Sequence, residues 1–251
     1  MYNARATLLE YEVMAAQTYH TVVDRIDILS YNVRCFRLRL VEPTRLPFEA
    51  GQFVIVHVPA RTPPAGGVKR AYSIASPPHE EGVVEICLQH VDGGAASTFF
   101  RQLKAGSPVT LSGPHGNFVL KHPLTYEPIF MATGTGVAPL RSMIHHLFHL
   151  QVTQPVRLFF GCRYEHTTLF EAEFRTLASL RHNFQYIPIV SRPKEWQGEV
   201  GHVQEVFRKQ ITDFTNKEIY ICGWLEVVKA VAHDLRAYGV PPEQIHYEEW
   251  G

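Results

Sequence analysis

The sequence predicts two domains: an antiparallel β-barrel of Greek-key type followed by an α/β domain on a parallel sheet. Three observations carry that expectation. From about Tyr19 to Leu120 the chain is a succession of short β-rich runs broken by turn signals. Beyond the stretch KHPLTYEP, apolar runs alternate with helical patterns. The rhythm changes near Lys121–Pro128, which sets the expected domains at 19–122 and 123–251 and leaves 1–18 as an N-terminal extension.

In the first half, VRCFRLRLV alternates Phe36, Leu38 and Leu40 with Arg37 and Arg39, the period of a half-exposed strand. FVIVHVP and GVVEICLQH are further strands, and EPTRLP, RTPPAGG, SPPHEEG and VDGG are the turns between them. RAYSIASPP stands out among the strands. Arg70, Tyr72 and Ser73 put a fixed cation, a flat aromatic and a small hydroxyl within four residues, a set suited to a ligand with a phosphate and a ring.

In the second half, IFMA, VRLFFG, FQYIPIV and IYICG are buried strands. Each precedes a helical pattern, at 137–150, 168–181, 203–210 and 225–238, and IHYEEW closes the series. Parallel sheets of this kind bind ligands at the carboxyl ends of their strands. There Gly134, Thr135 and Gly136 form a turn, and Pro139 falls in the first turn of the next helix, where its missing N–H costs nothing. Such a turn can hold a diphosphate on backbone N–H groups, or it can be a tight connection only. It is not the G-x-G-x-x-G fingerprint. Cys222 and Gly223 end a later strand and are expected in the same crevice; a buried cysteine in that setting is otherwise a packing residue.

Twenty-four basic residues balance twenty-four acidic ones, so no global field favours nucleic acid or an anionic membrane. No apolar run is long enough to span a bilayer, and the N-terminal stretch carries glutamates where a secretory signal needs basic and apolar regions; a cytoplasmic monomer is expected. Cys35, Cys87, Cys162 and Cys222 have neither zinc-ribbon nor ferredoxin spacing, so no metal is expected. Among fourteen histidines, His145 and His149 have the spacing of a helical metal clamp, but no partner ligand stands near them in sequence, and a polar helix face is the simpler reading.

Taken together, these motifs resemble the ferredoxin–NADP(+) reductase superfamily of flavoproteins, over roughly Tyr19 to Gly251. Arg70-Ala71-Tyr72-Ser73 matches the family's R-x-Y-S strand. The resemblance implies that Arg70 pairs with the FAD diphosphate, Tyr72 packs beside the flavin and Ser73 lies near N5. Gly93-Gly94-Ala95-Ala96-Ser97 matches G-G-x-x-S, opening a helix expected at Thr98–Leu103 whose amides hold the same diphosphate. Gly113, Pro114, Gly116 and Phe118 resemble a structural G-P-x-G-x-F turn. Gly134-Thr135-Gly136-Val137-Ala138-Pro139 resembles the loop for the pyridine-nucleotide diphosphate, and Cys222-Gly223 the pair beside nicotinamide. Glu248 and Trp250 match a tail in which an acid and an aromatic sit by the flavin.

Ser191 and Arg192, with Arg163 as helper, match a grip on the 2′-phosphate of NADPH. Glu199, where a second arginine is usual, repels phosphate, so NADPH is only modestly favoured over NADH. CGWLEVV lacks the usual Pro-Met. The implied activity is hydride transfer from NAD(P)H to FAD with Ser73, Cys222 and Glu248 around the reacting centre. Electrons then pass to a ferredoxin, flavodoxin or other electron-carrier protein, which Arg61, Lys69 and Arg101 could attract. Alternatives are an oxygenase reductase component, a free-flavin reductase and a non-catalytic electron-transfer subunit.

Overall fold

A computed structural model describes residues 17–60 and 67–250, the last of these by its backbone alone. Of the 1–18 extension only Gln17 and Thr18 are described; they open the first strand. Arg61 also lies outside the described residues.

The first sheet comprises β1 (Gln17–Ile28), β2 (Val33–Glu42), β3 (Phe53–Val58), β4 (Val68–Ser73), β5 (Val83–Gln89) and β6 (Pro108–His115), in the order β4-β3-β6-β1-β2-β5 with all pairs antiparallel. A bridge between Ile74 and Ile86 joins the two edges and curls the sheet into a barrel. The alternation in β2 points Phe36, Leu38 and Leu40 inward. They meet Tyr19, Val54, Val56, Ile86, Leu111 and Phe100 in one core. Phe100 belongs to α1 (Ala95–Gln102), which caps the barrel.

The second sheet is parallel. It contains β7 (Glu127–Thr133), β8 (Val156–Cys162), β9 (Phe184–Val190), β10 (Glu199–Val200), β11 (Lys217–Trp224) and β12 (Ile245–Trp250), in the order β10-β9-β8-β7-β11-β12. Its helices are α2 (Val137–His149), α3 (Glu171–Leu180), α4 (Val203–Gln210) and α5 (Leu225–Ala237). Alternate strand residues serve opposite faces. Phe130, Leu158, Phe160 and Tyr220 pack with α2 and α3, whereas Ile129, Met131, Phe159 and Ile221 pack with α4 and α5. Winding runs one way from β7 to β10 and resumes on the other side at β11, so the topological switch point lies between the carboxyl ends of β7 and β11.

Two helix boundaries differ from expectation. The helix expected at Thr98–Leu103 begins at Ala95, because Gly94 is the cap residue and Ser97 is helical, its hydroxyl accepting the Val91 N–H at 2.8 Å. The helix expected from 168 begins at Glu171, since Phe170 adopts φ 57 and Glu165–Thr167 forms a separate short turn.

The two halves are locked together. Val33, Ala50, Phe118 and Leu120 from the barrel side lie in the same apolar cluster as α2 and the second sheet. Arg141 of α2 reaches across, donating to Ala75 O and to Glu85 Oε2, each at 2.8 Å, and to Glu173 Oε1 at 2.7 Å. Ser142 Oγ–H donates to Ser76 O at 2.7 Å.

Candidate functional site

The R-x-Y-S run is β4, an edge strand, and this decides what each side chain can do. Arg70 is exposed, and its guanidinium donates to Lys69 O at 2.9 Å. The fork has further N–H donors beyond the one that this bond uses. Tyr72 is half-buried, its ring meeting Phe100 edge-on at 5.5 Å. Burial pushes its phenol up to about 12, against a small opposing pull from Arg70, so the ring is neutral at physiological pH. Ala71 points to the other side of the strand, opposite Ile55. Ser73 is buried at the strand end, and its hydroxyl donates to Glu248 Oε2 at 3.4 Å.

That last contact joins the domains at residues 175 positions apart. Glu248 lies on β12, where it is the register partner of Cys222 on β11. Gly116 closes the same corner: a Cβ there would stand 2.9 Å from the Phe53 ring and 3.9 Å from Glu248 Oε1. Trp250 pairs in register with Trp224; its side chain lies outside the described residues.

Tyr72 of β4 meets α1 through Phe100, and the start of that helix is uncapped. Gly93 has φ +74, with open space where a Cβ would be, and Gly94 caps the helix without a side-chain acceptor. No acidic residue lies in the first turn. The amides of Ala95, Ala96 and Ser97 therefore have no acceptor within the helix, and the dipole favours an anion. An exposed guanidinium, a neutral aromatic and an uncapped helix start are the donor set that a flat ring carrying a diphosphate requires, so FAD fits these residues.

At the switch point the glycines are needed for contact. A Cβ on Gly136 would stand 2.4 Å from the Cys222 carbonyl oxygen, and one on Gly223, φ +152, would stand 2.1 Å from Thr133 Oγ1. The Gly134–Gly136 turn and the Cys222–Gly223 strand tip thus touch, forming one crevice, with Pro139 in the first turn of α2 as expected. Thr133 Oγ1 also accepts the Trp224 N–H at 3.1 Å. Cys222 is 1% exposed.

Farther along the carboxyl edge, Arg192 N–H donates to Arg163 O at 2.8 Å and Ser191 N–H to Cys162 O at 3.0 Å, which brings Arg163, Ser191 and Arg192 side by side. Both arginines are exposed. Glu199, read as a repelling charge, accepts a hydrogen bond from Gln210 Nε2 of α4 at 2.9 Å.

The histidines of α2 engage neighbouring side chains. His145 Nε2 contacts Glu173 Oε1 at 2.5 Å, His149 stacks on His79 of the barrel at 3.9 Å, and His146 is half-buried between His79 and His122. Among the described residues no group of three His, Cys, Asp or Glu side chains could hold a metal. Phe53, Thr133, Arg141 and Trp224 escaped the sequence reading. Only Thr133 and Trp224 carry a local signal, since each adjoins a motif glycine.

Comparison with known proteins agrees with this geometry. The oxidoreductase FAD-binding domain family matches residues 20–120, and the oxidoreductase NAD-binding domain family matches 130–233. The chain is 34% identical over 211 residues to ferredoxin--NADP reductase B of Sorangium cellulosum, covering 81% of this chain and 85% of that protein. It is also 34% identical over 213 residues to the phenol 2-monooxygenase reductase component DmpP of a Pseudomonas species; that match covers 82% of this chain and 58% of the longer relative. The Amycolatopsis cytochrome P450 reductase GcoB superposes with TM-score 0.85 at 26% identity, over 93% of this chain and 70% of that one. The barrel and the α/β half are therefore FAD- and NAD(P)-binding domains, and the chain belongs to the ferredoxin–NADP(+) reductase-like family of FAD/NAD(P) oxidoreductases.

Proposed function

We propose that this oxidoreductase takes a hydride from NADPH, modestly in preference to NADH, and passes electrons to a ferredoxin- or flavodoxin-type carrier. The observation that carries the reading is the Ser73–Glu248 contact, which brings the R-x-Y-S strand of one domain against the Cys222 register partner of the other. Bound FAD supplies the hydride-accepting N5 and the capacity to release electrons singly or in pairs.

The chain's residues do the rest. Arg70 and the α1 amides bind the FAD diphosphate through charge-assisted bonds. Tyr72 offers a neutral face for ring packing. Ser73, its hydroxyl held by Glu248, lies at the reacting edge, and Glu248, which accepts from that hydroxyl, supports proton movement there. Cys222, small and buried, sets how closely nicotinamide approaches, which matters because a misplacement of about 1 Å can cost roughly 100-fold in rate.

The paired arginines Arg163 and Arg192 beside Ser191 favour the 2′-phosphate of NADPH, and the engagement of Glu199 by Gln210 softens its repulsion. Exposed Lys69 on the edge strand offers positive charge to an acidic carrier, whereas Arg101 is already paired with Asp92 at 2.9 Å. Near-complete coverage of a relative named ferredoxin--NADP reductase supports a carrier as acceptor. An oxygenase component is the second reading, on the equal identity to the phenol 2-monooxygenase reductase.

Stopped-flow reduction by NADPH tests the assignment. Ser73→Ala and Glu248→Ala are expected to slow flavin reduction roughly 10–100-fold while FAD content stays at wild-type level. Unchanged rates would remove both residues from the site. Turnover with a panel of ferredoxins, flavodoxins and oxygenase components separates the two acceptor readings.

A further inference from the structure

Trp224 is the last residue of β11 and is 57% exposed, an unusual place for the largest apolar side chain in a chain with three tryptophans. Its backbone is held and its ring lies near the Gly134 turn. The backbone N–H is held by Thr133 Oγ1 at 3.1 Å, and the indole Nε1 lies 3.7 Å from where a Cβ on Gly134 would stand. The indole therefore flanks the Gly134–Gly136 turn on the side that opens to solvent, two residues beyond Cys222.

Three neighbouring features constrain what passes beneath it. The Gly134–Gly136 turn and the Cys222–Gly223 strand tip are in direct contact beside it. The first turn of α2 has no acidic residue and no side-chain cap, so the crevice floor attracts an anion. An indole has a single N–H and no acceptor, which makes it a donor suited to an anionic oxygen.

We propose that Trp224 is a positioning residue for the pyridine nucleotide, its indole N–H donating to the nucleotide diphosphate at the Gly134 turn. The inference rests on the reading of that crevice as the NAD(P) site and adds to it a donor that neither glycine motif contains. Trp224 touches no reacting atom, so it acts on nucleotide binding and leaves the hydride step at saturation alone.

The test uses the FAD-loaded protein, with NADP+ as the titrant and intrinsic tryptophan fluorescence as the readout. Titration is expected to quench wild-type emission, and Trp224→Phe, which keeps a ring but loses the donor, is expected to lose that component. The NADP+ dissociation constant is expected to rise about tenfold, the effect of one hydrogen bond to a charged group. The KM for NADPH rises in step, while kcat stays at the wild-type value. Trp224→Ala removes the ring as well and should weaken binding further. Equal dissociation constants and equal quenching in wild type and Trp224→Phe would overturn the inference while leaving the crevice assignment standing. Failure of the wild-type protein itself to bind NADP+ or NADH by calorimetry would sink the crevice assignment and the inference together.

Discussion

Arg70 illustrates how one position acquires a role from its surroundings. Arg70 stands on edge strand β4, exposed, with its guanidinium donating to Lys69 O, while Tyr72 two residues on meets Phe100 of α1. Arg70→Ala is expected to weaken FAD binding roughly 10–100-fold, the loss of one or two charge-assisted bonds, with yellow cofactor separating from protein on gel filtration. Full retention would place the diphosphate elsewhere. Arg192 carries a parallel expectation. Arg192→Ala should raise the KM for NADPH about tenfold and leave that for NADH unchanged, because only NADPH has the extra phosphate. An equal rise for both nucleotides would mean a general packing role.

At the scale of elements, the junction of β7, α2 and β11 depends on contact more than on conformation. Gly136 has φ −60, which any residue adopts, yet its Cβ would strike the Cys222 carbonyl at 2.4 Å. Gly134 has φ +54 but has ordinary space around it, the nearest atom being Trp224 Nε1 at 3.7 Å. Gly136→Ala should therefore cost more than Gly134→Ala, whose penalty is the left-handed conformation alone, about 1–2 kcal/mol. Thermal melts and NADP+ binding of the two variants give the ranking directly. A reversed order would mean that α2 shifts away from β11 freely.

The motif residues at this junction were legible in the sequence because a βα turn is local; the helix expected at 203–210 has those bounds, and the one expected at 225–238 ends one residue earlier, at Ala237. The start of α1 was not legible. The helix expected from Thr98 begins at Ala95, with Gly94 in the cap position and the Ser97 hydroxyl turned back to Val91 N–H.

The whole molecule is held at its waist by buried charge. Glu85 is 3% exposed and accepts from Arg37 of the barrel and Arg141 of α2, each at 2.8 Å. Burial works against the Arg141 charge, but Glu173 and then Glu85 outweigh it, and the guanidinium stays protonated. Removing one partner of such a network strands the other, so Arg141→Met is expected to cost about 3 kcal/mol in chemical denaturation. Glu85→Gln in the same chain should cost less than the sum of the two single changes. Additive costs would deny the network.

The histidines at the same waist predict a pH response. Burial, then the neighbouring His122, His79 and His149, lowers His146 from 6.5 to about 4. The unfolded chain binds a proton there below pH 6.5 that the folded chain refuses until about pH 4. Stability should therefore fall as pH drops through that window and level off beneath it. Melting temperatures of wild type and His146→Asn between pH 7 and 4 check this, the variant showing the shallower decline. Parallel curves would remove His146 as the cause.

Local periodicity determined most of the architecture: alternation of two in the barrel, strand then helix after Lys121, and glycine turns at strand ends are all properties of neighbouring residues. The R-x-Y-S and G-T-G-x-A-P stretches were readable for the same reason. What only the tertiary structure decided is which of these stretches meet. Ser73 and Glu248 are joined across 175 residues, Arg141 finds its carboxylate in the other domain, and Trp224 comes to lie over Gly134 because β11 pairs with β7. No sequence period encodes those contacts. They arise from strand order and domain docking, where burial of apolar surface chooses the partners and polar side chains are then matched across the faces that it has brought together.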